Sequence, residues 1–314
     1  MPEALRLVRT ASRFPFSRVA DGSVVTIGAF DGLHLGHQQL LATCRAEAER
    51  LGVPGIVMSF EPTPKEFFAG DRPPARLTRF REKFEALREA GLELFFCPRF
   101  DAAMRDMSAA DFIRLLLIHK LNARAVVIGD DFRFARRQEG TVDVLKRAGR
   151  ALDFSVLQVP SVVVSGERVS STAIRLALAE GELDKAARLL GRSYRMSGRV
   201  LPGQQLGREL GYPTANVNIQ RRQSAVLGIF AVRVSGLGPE PMDAVASVGT
   251  RPTFGGVKPI LEVHIFDFAE NIYGRYIHVD FVAKLRDEEK FETAEALVEQ
   301  MHRDAQQARD ILQR

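Results

Sequence analysis

Cysteine is scarce in this 314-residue chain and long apolar runs are missing, and each absence removes a class of protein. The two cysteines, Cys44 and Cys97, lie far apart with no Cys-x-x-Cys and no Cys/His spacing of the zinc-binding kind. That excludes a disulfide framework and a cysteine metal centre, and both read as reduced packing residues. No segment approaches the roughly 18 consecutive apolar residues of a membrane span, and the opening MPEALRLVRTASRFPF has no signal-like apolar stretch. A cytoplasmic location with no membrane partner is expected. Charge of one sign is not concentrated either. The formal net charge is +5, from 44 Lys and Arg against 39 Asp and Glu, but the signs interleave, as in RLTRFREKFEALREAG. Such runs read as solvated helix faces, not as the basic stripe of a nucleic-acid protein. Small molecules are the expected partners, and the sequence does not specify an oligomeric state.

What is present is enough for two domains. A hydrophobic content of 46% with 26% charged residues suits a folded chain with a real core. In the first half the short apolar runs SVVTIGAF, GIVMSF, LELFFC and ARAVVIGDD alternate with helical spacing, the pattern of a parallel sheet wrapped by helices. One helix begins at Ser108 with Asp111 three residues on, a capping-box arrangement. Past Gly191 the pattern changes to SYRMSGRVL, TANVNI, GIFAVRVSG, MDAVASVG, ILEVHIFDF and YIHVDFVAKL, six strands with no long helix between them. These predict a small β-barrel, closed off by a terminal amphipathic helix from TAEALVEQMHRDAQQARDILQ. The expected domains are 1–186, a Rossmann-like α/β unit, and 187–314, a six-stranded barrel.

The stretch GAFDGLHLGHQQLL sits where the first strand of an open parallel sheet gives way to its helix, the usual phosphate contact in such folds. It matches neither G-x-G-x-x-G nor the Gly-Lys-Ser/Thr of a P-loop. Gly28, Gly32 and Gly36 let backbone approach a ligand, and His34 and His37 bracket the helix start. N–H groups and imidazoles at the positive end of a helix together suit an oligophosphate. This segment resembles the His-x-Gly-His motif of the nucleotidyltransferase superfamily, which attacks the α-phosphate of a nucleoside triphosphate and releases pyrophosphate. Three further segments, MSFEPTPKEFF, VVIGDDFRFARRQEG and ERVSSTAIR, narrow the resemblance to the adenylylating module of bacterial bifunctional riboflavin kinase/FAD synthetases. On that resemblance Gly28, Phe30, Asp31, His34, Gly36 and His37 hold the triphosphate, with the histidines stabilising charge. Asp131 lies near the nucleotide, and Arg168, Ser171, Thr172 and Arg175 complete the phosphate site. Plainer readings stand beside these: Ser170 to Thr172 as a helix cap, Asp130 and Asp131 as turn residues, Phe132 and Phe134 as packing groups. The chain departs from the family twice. Thr63 stands where Phe-x-Pro-His-Pro has histidine, and Thr cannot carry positive charge. Ala135 stands where glycine usually follows DFRF, which is strained unless its φ is negative.

The second constellation is GQQLGRELGYPTANVNI. Thr214 and Asn216 are two apart, on one face of an extended segment, where both oxygens can ligate one hard cation such as Mg²⁺. This resembles the riboflavin kinase signature, in which the Thr and Asn hold the metal and the glycine loop, here Gly203, Gly207 and Gly211, covers ATP. In PILEVHIFDF alternation puts Leu261, Val263 and Ile265 on one face and Glu262, His264, Phe266 and Phe268 on the other. Periodicity alone makes Glu262 a rim residue; the resemblance makes it the catalytic base. Arg251 and Arg286, in segments that match the family around flavin and nucleotide, read as ligand contacts or as surface ion pairs. The resemblance implies a Mg²⁺-dependent enzyme of two steps, riboflavin with ATP to FMN in the barrel and FMN with ATP to FAD in the α/β unit. The alternative is a flavin- or nucleotide-binding regulator with a decayed adenylylating site, motivated by Thr63 and Ala135.

Overall fold

The computed structural model describes residues 5–10, 13–71, 73–203, 211–253 and 256–313, with backbone alone at 251–253, 256 and 257. The chain forms two compact units, residues 1–74 with 80–169, and residues 75–79 with 170–314.

The first unit holds strands β1 (Arg6–Val8), β2 (Ser23–Ile27), β3 (Gly55–Met58), β4 (Leu94–Phe96), β5 (Ala123–Gly129) and β6 (Ser155–Val159). They form one sheet in the order β1-β4-β3-β2-β5-β6, every pair parallel. The helices are α1 (Leu35–Leu51), α2 (Pro64–Ala69), α3 (Phe80–Glu89), α4 (Ala102–Asp106), α5 (Ala109–Asp111) and α6 (Val142–Leu152). A π-helical stretch, Phe112–Lys120, continues α5, and a small hairpin pairs β7 (Val163–Val164) with β8 (Glu167–Arg168). Two core clusters lie on opposite faces of the sheet: Val25, Ile27, Val126 and Ile128 belong to one, Val24, Ala125 and Val127 to the other. Because both faces are covered, the central strands are continuous apolar runs.

The predicted helix start at Ser108 is present, with a change of partner. Ser108 Oγ accepts the Asp111 N–H at 3.0 Å and donates to Asp111 Oδ2 at 2.7 Å. Asp is one methylene shorter than Glu, so the return bond meets the hydroxyl and not the cap N–H. The expectation that RLTRFREKFEALREAG is a solvated face holds for Arg81, Arg88 and Glu89, which are exposed, and is corrected for three other charged residues. Arg79, Glu82 and Lys83 are buried. Lys83 occupies the slot three residues after Phe80 and one before Phe84, so it shares the apolar stripe of α3 with Phe80, Phe84 and Leu87.

The second unit begins with helices α7 (Ser171–Ala179) and α8 (Leu183–Leu190). Six antiparallel strands follow: β9 (Tyr194–Leu201), β10 (Ala215–Asn218), β11 (Gly228–Ser235), β12 (Met242–Thr253), β13 (Gly256–Ile265) and β14 (Tyr276–Arg286). They close as β10-β13-β12-β11-β14-β9, the barrel that the sequence predicts. Residues 75–79 belong to this unit. Arg79 donates to Tyr276 Oη at 2.6 Å and Gln220 Oε1 at 3.2 Å, Arg175 Nε donates to Ala75 O at 2.7 Å, and Arg221 donates to Arg76 O. The terminal helix α9 (Ala294–Leu312) docks through Ala308 and Leu312 on Ala231 and Phe266. Phe266, expected on the outer face of its strand, lies on that face and is buried by this helix. Arg309 stacks over the Phe266 ring at 4.2 Å. A mostly buried ion pair adds to the dock, Arg286 Nη2 to Asp304 Oδ2 at 2.8 Å, with Gln300 Nε2 donating to Asp304 Oδ1 at 2.8 Å.

Two stability predictions follow from these environments. Ala135 adopts φ 64° and ψ −176°, a region that is essentially glycine-only and costs an L-residue about 1–3 kcal/mol. Ala135→Gly relieves that strain against a smaller loss of chain entropy, so chemical denaturation should show a gain of about 1 kcal/mol. Asp304→Ala leaves the Arg286 guanidinium buried without its carboxylate and should cost about 3 kcal/mol in the same assay.

Candidate active sites

In the first unit β2 has β3 on one side and β5 on the other. The chain therefore switches direction across the sheet at the β2/β5 pair, and the crevice beyond the carboxyl ends of these strands is where such sheets bind ligands. GAFDGLHLGH occupies that end. The turn is made of unusual backbone: Phe30 has φ 49°, Gly32 87° and Leu33 44°. Side chains hold it there. The Ala29 carbonyl accepts from Lys83 Nζ at 2.6 Å and from Ser59 Oγ at 3.3 Å, and the Leu33 carbonyl accepts from Gln38 Nε2 at 2.9 Å. Phe30 is wholly buried. Its ring lies 5.1 Å from that of His37, so it supports the imidazole from the core side.

His34 caps α1, its Nδ1 accepting the His37 N–H at 3.3 Å. That bond leaves the proton of a neutral His34 ring on Nε2. The two imidazoles stack with centroids 3.7 Å apart and planes 18° from parallel. His37 Nδ1 is buried without a hydrogen-bond partner. Burial pushes the His37 pKa well below the ordinary histidine range, and the neighbouring His34 and Lys83 push it the same way. The structure thus brings Gly28, Phe30, Asp31, His34, Gly36 and His37 together in one turn, with Asp31 itself buried. A side chain on Gly36 would press on the His34 ring, with Nδ1 at 3.3 Å from its Cβ.

At the neighbouring end of β5, Asp130 accepts from Ser161 N at 3.1 Å and Ser161 Oγ at 2.8 Å. The Ser161 hydroxyl, and after it the Ser161 N–H and Arg168, hold the Asp130 carboxyl below its usual range. Asp131 pairs with Arg168 at 2.6 Å, both side chains open to solvent. Phe132 and Phe134 stack on each other at 5.6 Å and pack with the core, in keeping with the plainer reading of both. Thr63 is nearly buried and caps α2: its Oγ1 accepts the Glu66 N–H and donates to Glu66 Oε2 at 2.9 Å, so the hydroxyl is committed to the helix. Ser171, Thr172 and Arg175 lie on α7 in the second unit. Ser170 caps that helix, accepting the Ala173 N–H at 3.1 Å, and Arg175 Nη1 donates to Ser171 O.

In the barrel the predicted alternation holds. Leu261, Val263 and Ile265 are buried inside, while Glu262 and His264 point out and are half-buried. Register puts Asn216 of β10 and Ser247 of β12 directly opposite Glu262, one on each side. Thr214, Asn216 and Asn218 alternate with buried Ala215, Val217 and Ile219, so the hydroxyl and amide share the outward face. A Cβ on Gly203 would collide with the Asn216 side chain. A cavity of about 310 Å³ opens on this wall, lined by Thr214, Ser247, Glu262, His264 and Arg286, with Ile229, Leu297 and Met301 supplying apolar surface. Arg286 is held by Asp304 and does not stand free as a surface cation. Glu288 also lines the cavity, and burial raises its pKa above the usual carboxylate value. Gly211 sits at φ 81°, Gly207 lies outside the described residues, and of Arg251 only the backbone is described.

Sequence reasoning missed Lys83, Ser59, Ser247 and Asp304. Lys83 alone left a signal, its slot in the apolar stripe of α3; the others are placed by strand register and helix docking, which no local pattern reveals.

Comparison with known proteins follows this division. A family model described as FAD synthetase matches residues 17–173, and one described as riboflavin kinase matches residues 190–312. The bifunctional riboflavin kinase/FMN adenylyltransferase of Escherichia coli K12 is 44% identical over 291 residues, 93% of each chain. That of Haemophilus influenzae is 40% identical, covering 93% of this chain and 95% of the relative. A solved Streptococcus pneumoniae protein described as a macrolide-efflux protein superposes with a TM-score of 0.81 at 30% identity, covering 98% of this chain and 99% of its own. Among the described residues no helix is long and apolar enough to cross a membrane. With both models in order and full-length relatives at this identity, the chain belongs to the bifunctional riboflavin kinase/FAD synthetase family.

Proposed function

We propose that the chain, a riboflavin kinase and FMN adenylyltransferase, divides its two steps between an adenylylating domain, residues 1–186, and a kinase domain, residues 187–314. The observation that supports this most is the pairing of each family model with its own polar constellation: the His34–His37 turn in one, the Asn216–Glu262–Ser247 row in the other. In the first unit a phosphate oxygen of FMN attacks the α-phosphorus of ATP; the bond to the bridging oxygen breaks and pyrophosphate leaves. The N–H groups at the start of α1 and the imidazoles of His34 and His37 stabilise the charge that builds on the phosphates. Asp131 and Arg168 bound the nucleotide end of the site. Ser171, Thr172 and Arg175, on the first turns of α7, are proposed as phosphate-binding residues.

In the barrel the 5′-hydroxyl of riboflavin attacks the γ-phosphorus of ATP; the bond to the β–γ bridging oxygen breaks and ADP leaves. Glu262 takes the hydroxyl proton, flanked by Asn216 and Ser247, which fix its place through the strand register. The apolar side of the cavity, with Ile229, Leu297 and Met301, suits the flavin ring. Gly203, Gly207 and Gly211 cover ATP, and Arg251 and Arg286 border the ligands. Among the described residues no three His, Cys, Asp or Glu side chains gather into a metal site. The oxygens of Thr214 and Asn216 fit Mg²⁺ held jointly with nucleotide phosphates, and the missing Cβ of Gly203 leaves the Asn216 amide its room. Bound Mg²⁺ would neutralise phosphate charge. ATP is consumed at both steps, which supports a cytoplasmic location. The regulator reading is not favoured: both departures that motivated it are structural positions, a helix cap at Thr63 and a strained turn at Ala135.

Incubation of the purified chain with riboflavin, Mg²⁺ and ATP should yield FMN and then FAD by chromatography; a folded chain that makes neither overturns the assignment. Glu262→Gln should lower the rate of FMN formation by about 10²–10⁴-fold while FMN-to-FAD conversion continues. His37→Ala should do the reverse, lowering pyrophosphate release from FMN and ATP by about 10²-fold. Equal loss of both steps in either folded variant speaks against separate sites.

A further inference from the structure

We propose that Lys83 is a positioning residue for adenylyl transfer: its ammonium clamps the Ala29 carbonyl, fixes the turn that bears His34 and His37, and supplies standing positive charge beneath the imidazoles. The inference rests on the reading of this turn as the adenylylation site.

Three observations carry it. Lys83 is only 3% exposed, in line with Phe80, Phe84 and Leu87 on the apolar stripe of its helix. A lysine is placed so deeply only where its ammonium is hydrogen-bonded, and here Nζ donates to Ala29 O at 2.6 Å, across 54 residues of chain. Ala29 lies between Gly28 and Phe30, at the head of a turn with Phe30 and Leu33 at positive φ. A side chain at positive φ strains the backbone, so the turn keeps its shape only if its surroundings over-determine it. Without Lys83, Ser59 Oγ at 3.3 Å is the remaining side-chain donor described on that carbonyl.

The second effect is electrostatic. The groups that press on His37 are His34 from the helix start and Lys83 from α3, while the Phe30 ring packs against it uncharged. Both charged neighbours oppose its protonation, as burial does. Lys83 therefore supplies fixed positive charge beside His37, and burial with these neighbours favours the neutral form of the His37 imidazole. Removing the lysine charge makes His37 easier to protonate, so its titration moves to higher pH.

Lys83→Gln keeps a donor for Ala29 and removes the charge; Lys83→Arg keeps both. In the full-length chain, Lys83→Gln should lower kcat for FMN adenylylation by at least about tenfold with KM for FMN little changed. Riboflavin phosphorylation by the same sample should persist, which reports folding. In nucleotide-free protein, NMR titration of the six histidines, with His37 assigned by its loss in His37→Asn, should move His37 upward. Lys83→Arg should restore most of the rate and the wild-type titration. An unchanged kcat in Lys83→Gln, or an unmoved His37 titration, overturns the proposal. If Lys83→Gln does not fold, a folded Lys83→Arg decides: retained adenylylation with the wild-type titration supports the proposal, and lost adenylylation overturns it. A wild-type chain that makes no FAD from FMN and ATP defeats the reading of the site, whereas the titration still reads the effect of the lysine on His37.

Discussion

The parallel pairing of β2 with β5 is the constraint on which the first unit depends. Because the chain crosses the sheet there, helices cannot cover the carboxyl ends of both strands, and the turns after β2 and β5 open on the same edge. A turn in that place needs sharp backbone. It has it at Phe30, Gly32 and Leu33, and only one of the three is glycine. The cost is offset by packing and hydrogen bonds: Phe30 sinks into the core, Lys83 and Ser59 grip Ala29, and Gln38 grips Leu33. The placement of His34 and His37 is thus set by residues that pack behind the turn and grip its carbonyls.

The barrel meets a different constraint. Its closure pairs every strand on both sides, and its interior is filled by residues such as Leu261, Val263 and Ile265. Nothing can bind inside, so polar chemistry has to use the outer wall. A strand surface is flat, and a cavity needs a second wall. Helix α9 supplies it through Leu297 and Met301, and the Arg286–Asp304 pair ties that helix to β14. One ion pair therefore serves both the docking of the helix and the shape of the cavity.

Much of this was legible in the sequence, where local pattern and environment agree. The four central strands, the six barrel strands, the cap at Ser108 and the outward placement of Glu262 follow from period and capping rules. β1 and β6 were not anticipated. β1 is three residues long, and β6 reads Ser-Val-Leu-Gln-Val with its middle only half-buried, so neither shows the apolar run of a central strand. The burial of Arg79, Glu82 and Lys83 was misread because interleaved charge usually marks a wet face. What overturns that rule is a partner supplied by tertiary structure, the Ala29 carbonyl for Lys83 and Tyr276 for Arg79. The signal that competes with it, Lys83 in line with Phe80, Phe84 and Leu87, is visible only if helix phase is weighed above residue class.

The two sites differ in the way their nucleophiles require. The phosphate of FMN has a second pKa near 6 and is largely ionised at neutral pH, so its attack needs no base. What limits it is charge: an anion must approach a triphosphate. In the proposed site the first unit answers with donors and a cation, namely the N-terminus of α1, two imidazoles and a buried ammonium, and with no carboxylate as a base. A ribityl hydroxyl is a far weaker acid and must lose its proton as it attacks. In the proposed kinase site the barrel answers with Glu262, which strand register places between Asn216 and Ser247. ATP is common to both reactions, so the acidity of the acceptor, not the nucleotide, explains why one chain keeps two unlike sites.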